Sequence, residues 1–161
     1  MFIYLVRHAW AGQHGDAGPD DSRRELTVDG KKRFAKVVEV LIERDFAPQR
    51  IATSPYARCL QTAEIIARHV EGNPPIDQLE ALAPGSDIEA ALQWTRGYAG
   101  QDVAWVGHNP DIEILAGLLL GDRRAGIRFA KGAVAAIQFD GSVDVAAGQL
   151  YWLATAKLLG V

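Results

Sequence analysis

Only one cysteine, Cys59, occurs among the 161 residues. No internal disulfide can form, and a reducing compartment is expected. Cys59 falls in an amphipathic helical stretch, which suits a buried, inert thiol. Long apolar runs are missing as well. The greasiest, Ile112 to Leu120, falls well short of the roughly 20 residues that span a bilayer. The residues ahead of Arg7-His8 are too few for the apolar region of a signal peptide, so a cytoplasmic location is expected. Nor is there a basic excess: 17 Lys and Arg against 20 Asp and Glu leave a net charge of −3. That balance favours neither nucleic acid nor an anionic membrane as partner. Any anion site must therefore concentrate a few arginines locally. Repeats, low-complexity tracts and linkers are absent too, and the length suits one domain over residues 1–161.

What is present is an alternation of strand and helix patterns. The apolar run Phe2-Ile3-Tyr4-Leu5-Val6 reads as a buried parallel strand ending at Arg7-His8. A polar, Gly- and Asp-rich loop follows from Ala11 to Arg24. Phe34, Val37, Val38, Leu41 and Ile42 then repeat at helical spacing, with Thr27 as the N-cap. Arg50 to Thr53 is a second short strand. Ser54-Pro55 reads as a cap and first helical residue, opening a helix through Ala63, Ile66, Ala67 and Val70. Ile76 to Leu79 is a candidate strand and Asp87 to Gly97 a third helix. Asp102 to Val106 is a further strand, and Asn109-Pro110 repeats the cap-plus-proline entry into a helix over Asp111 to Leu120. The last third holds two strands, Ala133 to Phe139 and Gln149 to Ala154, joined around the turn residues Asp140-Gly141. The pattern predicts a three-layer α/β/α sandwich with a mainly parallel sheet and one antiparallel edge strand.

In such sheets ligands bind beyond the carboxyl ends of the strands. Three strand-to-helix junctions there carry Arg7-His8, Arg58 and His108. Singly, each has an ordinary explanation: a solvated pair, a solvated helix arginine, a hydrogen-bonded junction histidine. Together, two guanidinium forks, two imidazoles and helix N-termini form a pocket suited to a tetrahedral dianion, most plainly phosphate. Rival sites fit less well. Gly12, Gly15 and Gly18 follow a G-x-x-G-x-x-G spacing with no helix or P-loop lysine directly behind it. His14 and His69 lie apart, in a loop and on a helix, with no zinc-binding pattern, so no metal and no cofactor is expected.

These residues resemble a known family. Leu5-Val6-Arg7-His8-Ala9 is similar to the N-terminal signature of the histidine phosphatase (phosphoglycerate mutase-like) superfamily. Ser54-Pro55-Tyr56-Ala57-Arg58-Cys59-Leu60-Gln61-Thr62 is similar to its second motif, and Val106-Gly107-His108 to its third. The short length, Arg24-Glu25-Leu26-Thr27 with Gly30 behind it, and Leu82-Ala83-Pro84-Gly85 resemble the small SixA-like phosphohistidine phosphatase branch. The resemblance runs from residue 2 to about residue 120. One departure is Ala9, where many members carry glycine, and its methyl is a candidate for narrowing the approach to His8.

The resemblance implies a metal-independent phosphatase in which His8 is the nucleophile, with a phosphohistidine intermediate. Arg7, Arg58 and His108 would hold the phosphoryl oxygens. Arg24 resembles a further phosphate-facing arginine, with Arg23 beside it as an equally basic rival. Glu80 is the positional candidate for a general acid; Asp16, Asp20 and Asp21 lie in the early loop. The missing inserted segment around the acid suits a labile P–N bond, hence a phosphohistidine-bearing protein as substrate. Two alternatives stay open: a phosphatase or mutase for small phosphate esters, and a phosphate-binding module without turnover. Trp10 is read as a loop anchor, with the pocket rim as its other possible place.

Overall fold

In the computed structural model, which describes residues 1–16 and 18–161, the apolar runs form one six-stranded sheet. The strands are β1 (Phe2–Arg7), β2 (Arg50–Thr53), β3 (Ile76–Gln78), β4 (Val103–Gly107), β5 (Val134–Gln138) and β6 (Gln149–Ala154), in the order β3-β2-β4-β1-β5-β6. β3, β2, β4 and β1 run parallel. β5 pairs antiparallel with both β1 and β6, so β5 alone runs against the other strands. It lies second from the edge, with β6 outermost in place of the expected antiparallel edge strand. Of the Ala11 to Arg24 loop, Ala17 lies outside the described residues.

Strand periodicity sends alternate residues to opposite faces, and both faces are covered. Tyr4, Val6, Ala104 and Val106 pack with Phe34, Val37 and Leu41 of α1 (Val28–Ile42) and Ala63 and Ile66 of α2 (Ala57–His69). Ile3, Leu5, Val103 and Trp105 pack on the other side with Ala91 and Leu92 of α3 (Ile88–Arg96) and Ile112, Leu115 and Leu119 of α4 (Asp111–Leu120). This is the three-layer sandwich that the alternating pattern implies. Because both faces are buried, the central strands β1 and β4 read as nearly unbroken apolar runs. The Trp105 indole N–H, deep in the second layer, is satisfied at 3.0 Å by Thr95 Oγ1.

Two helix starts differ from the local reading. Thr27 Oγ1 caps α1 through the Gly30 N–H at 2.9 Å, and Asp87 caps α3 through the N–H groups of Glu89 and Ala90. By contrast, α2 begins only at Ala57 and α4 at Asp111, neither with a side-chain cap. The Ser54 hydroxyl accepts from the Tyr56 N–H just before α2 and also bonds at the sheet edge, where the Asn109 side chain is engaged. Gly30 is there for close approach: a Cβ on it would stand 2.2 Å from the Trp10 carbonyl oxygen. That contact lets α1 lie against the segment leaving β1.

Candidate active site

Register aligns the three strand ends. Arg7 pairs with Gly107, and Val6 and Thr53 both face Val106. The next residues continue the ladder: His8 N–H donates to the Gly107 carbonyl at 3.0 Å and Ser54 N–H to the Val106 carbonyl at 2.9 Å. His8, Ser54 and His108 therefore stand side by side on the carboxyl edge of the parallel strands, where open α/β sheets bind ligands. The His8 and His108 rings meet edge to face with centroids 5.4 Å apart.

His8 is buried, and its Nδ1 lies 2.8 Å from the Ala9 carbonyl oxygen. A carbonyl only accepts, so Nδ1 carries the proton, and in the neutral ring Nε2 keeps its lone pair. Burial pushes the His8 pKa down to about 4, helped by the guanidiniums of Arg58, Arg7 and Arg24; the Ala9 carbonyl opposes the shift. The ring is therefore neutral near pH 7. Burial likewise lowers His108 to about 3, with Arg58 next in weight. Its Nε2 lies 2.8 Å from Ser54 Oγ and 3.4 Å from Cys59 Sγ. Burial pushes the Cys59 thiol up to about 12, so it remains a neutral neighbour, as expected of an inert thiol.

Two arginines are anchored at this edge by different segments of the chain. Arg7 is anchored by Nη1 donating to the Phe129 carbonyl at 2.8 Å. Arg58, only 4% exposed, is held by Asp21: Nη1 donates to its backbone carbonyl at 2.8 Å, and Nη2 lies 3.1 Å from its carboxylate. The same carboxylate binds Arg24 Nε at 2.8 Å, and Arg24 Nη1 donates to the Gly12 carbonyl at 2.9 Å. Arg24 and Arg58 hold the Asp21 carboxyl well below the usual range, with the Arg24 hydrogen bond as the largest cause and His14 assisting. Arg23 is exposed, whereas Arg24 is half-buried and close enough to depress both histidines. Of the two rivals, Arg24 is the one that faces the cluster.

Among the described residues, three buried side-chain polar atoms lack a hydrogen-bond partner: Arg7 Nε, Arg58 Nε and Asn109 Oδ1. All three belong to this edge. Leaving a buried donor unpaired costs roughly 1–3 kcal/mol, so such a concentration is a mark of a site built for a ligand rather than for stability.

Local sequence reading missed several residues here. Ser54 Oγ lies 2.8 Å from His108 Nε2 while it accepts from the Tyr56 N–H at 3.3 Å, one residue ahead of α2. Asn109 donates through Nδ2 to the Phe129 carbonyl at 3.1 Å and to Glu113 Oε1, bracing the loop that anchors Arg7. Thr62 Oγ1 accepts from Ala9 N–H at 3.0 Å and donates to the Arg58 carbonyl at 2.7 Å, tying the β1 end to α2. Ala9 is fully buried in the core layer under α1 and α2, so its methyl packs inward and does not narrow the approach to His8. Trp10 is the loop anchor: its carbonyl accepts from Thr27 N–H at 3.0 Å, and Arg33 stacks 4.3 Å from its ring. Glu80 is exposed, in the 3-10 turn Glu80–Leu82 that follows β3. Its carboxylate makes no hydrogen bond or ion pair to the cluster among the described residues.

Residues 3–83, half of the chain, match the model of the histidine phosphatase superfamily (branch 1). The chain belongs to that superfamily. An uncharacterized protein of Picosynechococcus sp. is 36% identical over 115 residues, covering 70% of this chain and 68% of that one. The fold is similar to that of the protein histidine phosphatase SixA solved with tungstate, with TM-score 0.85, 23% identity and 99% of each chain covered. It is also similar to the alpha-ribazole phosphatase of Shigella flexneri, with TM-score 0.74, 14% identity and 97% of each chain covered. No described helix is long and apolar enough to cross a membrane.

Proposed function

We propose that the protein is a metal-independent phosphatase that uses His8 as nucleophile and acts on phosphohistidine in a protein. The observation that carries this reading is the free lone pair on His8 Nε2, beside the unpartnered Nε donors of Arg7 and Arg58. His8 Nε2 attacks phosphorus, the bond from phosphorus to the leaving nitrogen breaks, and the phosphoryl group passes to His8. The substrate imidazole, protonated on its other ring nitrogen, departs as a neutral ring. Water then cleaves the new P–N bond, releasing inorganic phosphate and restoring the ring.

The cations do most of the work. Charge on the transferring phosphoryl group is met by Arg7, Arg58 and Arg24, fixed in place before the substrate arrives. His108, whose pKa burial and Arg58 lower to about 3, takes part as a neutral ring with one N–H to donate. The Ala9 carbonyl keeps the proton of His8 on Nδ1 throughout and stabilises the positive charge that develops as Nε2 bonds to phosphorus.

The substrate class follows from the leaving group. An alkoxide needs a proton from a nearby acid. The carboxylate held within the cluster, Asp21, is kept ionised by two arginines, while both histidines are neutral. Imidazole leaving from a phosphoramidate is a far better leaving group. SixA, similar in fold, is named as a protein histidine phosphatase, which supports the same choice.

Offering purified protein a phosphohistidine-bearing protein beside a panel of sugar and glycerate phosphates tests this reading. We expect kcat/KM to favour the phosphoramidate, with activity retained in chelator and blocked by vanadate. Preference for an ester would overturn the substrate class, and loss of activity in chelator would overturn the metal-free chemistry. Glu80→Gln should affect esters and phosphoramidates alike; a selective loss on alkyl phosphates would make Glu80 a general acid.

A further inference from the structure

Between α4 and β5 the chain carries Arg123, Arg124, Arg128 and Lys131 within nine residues, opposed by one carboxylate, Asp122. All four cations are exposed, and none forms an ion pair among the described residues. Asp122 is occupied by its own turn, accepting from the Arg124 N–H at 2.8 Å. The neighbouring Glu113 is held by the Phe129 N–H at 2.9 Å and by Asn109. In a chain with a net charge of −3, four unpaired cations in one segment are a local reversal of sign.

The segment borders a cleft of about 340 Å³ lined by Pro110, Glu113, Ile114, Arg123, Ile127 and Arg128, among others. That cleft adjoins the catalytic edge. Pro110 follows His108-Asn109 in the chain, and Phe129, next to Arg128, provides the carbonyl that anchors Arg7. Arg128 is near enough for its charge to add to the lowering of the Arg7 pKa, below burial in weight. The floor is partly apolar through Pro110, Ile114 and Ile127, and the rim is cationic. A small phosphate would be bound by Arg7, Arg58 and Arg24 without reaching this far.

We infer that this cleft and its cationic rim dock an acidic protein surface that flanks the phosphohistidine of the substrate. The inference rests on the phosphohistidine reading above. Its physical basis is charge complementarity: an unpaired cationic rim beside a reacting centre steers an acidic partner into register and repels a basic one. The apolar floor gives the docked segment a surface to cover.

The test uses three synthetic peptides with a central phosphohistidine, flanked by glutamates, by serines or by lysines, together with phosphoimidazole as a small substrate. For the wild-type protein we expect kcat/KM to fall in the order glutamate, serine, lysine, by about tenfold end to end at low salt. The differences should shrink as salt rises. Arg123→Glu with Arg124→Glu should reverse the order and leave phosphoimidazole hydrolysis unchanged. Equal rates on all three peptides, or an unchanged order in the double variant, would overturn the docking surface while leaving the phosphohistidine reading intact. Failure on every peptide with good hydrolysis of esters would overturn both.

Discussion

At the scale of single residues, the site depends on which atoms are already occupied. His8 Nδ1 is taken by the Ala9 carbonyl and Nε2 is free, so one nitrogen is fixed as donor and the other left to react. Asp21 shapes Arg58 in the same way. Both terminal nitrogens of Arg58 face Asp21, one its carbonyl and one its carboxylate, and Nε alone is unpaired. We expect Asp21→Asn to weaken this orientation by about 1.5 kcal/mol, read as a roughly tenfold higher KM for a small phosphoramidate with a smaller change in kcat. A lower KM would mean instead that the carboxylate competes with the phosphoryl group for the arginines.

The pKa of His8 also sets a pH limit. With its folded value lowered to about 4, the neutral, nucleophilic form persists well below the ordinary histidine range. In the free enzyme, kcat/KM should hold from neutral pH down to about pH 5 and fall as the pH passes through about 4. A fall centred near pH 6.5 would place His8 in water rather than in the buried position described.

Among elements, the site is assembled where β1, β2 and β4 end at one level and α2 packs beneath them. Thr62 is the clamp, joining Ala9 N–H to the Arg58 carbonyl through one hydroxyl. Thr62→Val removes both bonds and strands the buried Ala9 N–H, which costs roughly 1–3 kcal/mol in stability. Because Ala9 also orients His8, kcat should fall even at temperatures where the variant is fully folded. A variant that loses stability but keeps kcat would show that Thr62 serves packing alone.

The element scale also explains what the sequence made legible. Arg7-His8, Arg58 and His108 could be found because each follows an apolar strand, and parallel strands bring their carboxyl ends together. The β5 and β6 strands were readable from their apolar runs, but the segment 139–148 joins them in place of the hairpin-like turn that Asp140-Gly141 suggests, because it packs back on α4 through Ala146 and Gly148. Ser54 and Asn109 were misread because a small polar residue before proline satisfies helix-cap chemistry by itself, and nothing local shows a histidine 54 residues away. Asp21 was hidden for a similar reason. Its partner Arg58 lies 37 residues on, and in sequence a loop carboxylate is indistinguishable from a solvated one.

For the molecule as a whole, the site's requirements conflict with stability. Two histidines are buried uncharged, with folded pKa values near 4 and near 3. The unfolded chain takes up protons on both as pH falls below about 6.5. Between that value and the folded ones the unfolded state binds more protons, so stability declines on acidification through this window. Replacing His108 with Gln should reduce the acid sensitivity of the melting temperature between pH 6.5 and 4, measured by thermal unfolding. An unchanged slope would mean that another group dominates acid unfolding.

The most direct measurement of the central claim is to trap the covalent intermediate. Turnover of an activated aryl phosphate is quenched in base, which preserves phosphohistidine, and the digested protein is mapped by mass spectrometry. The account predicts a phosphoryl group on the peptide containing His8, and none on that peptide in His8→Ala. A phosphoryl group on another residue, or full turnover by His8→Ala, would contradict it.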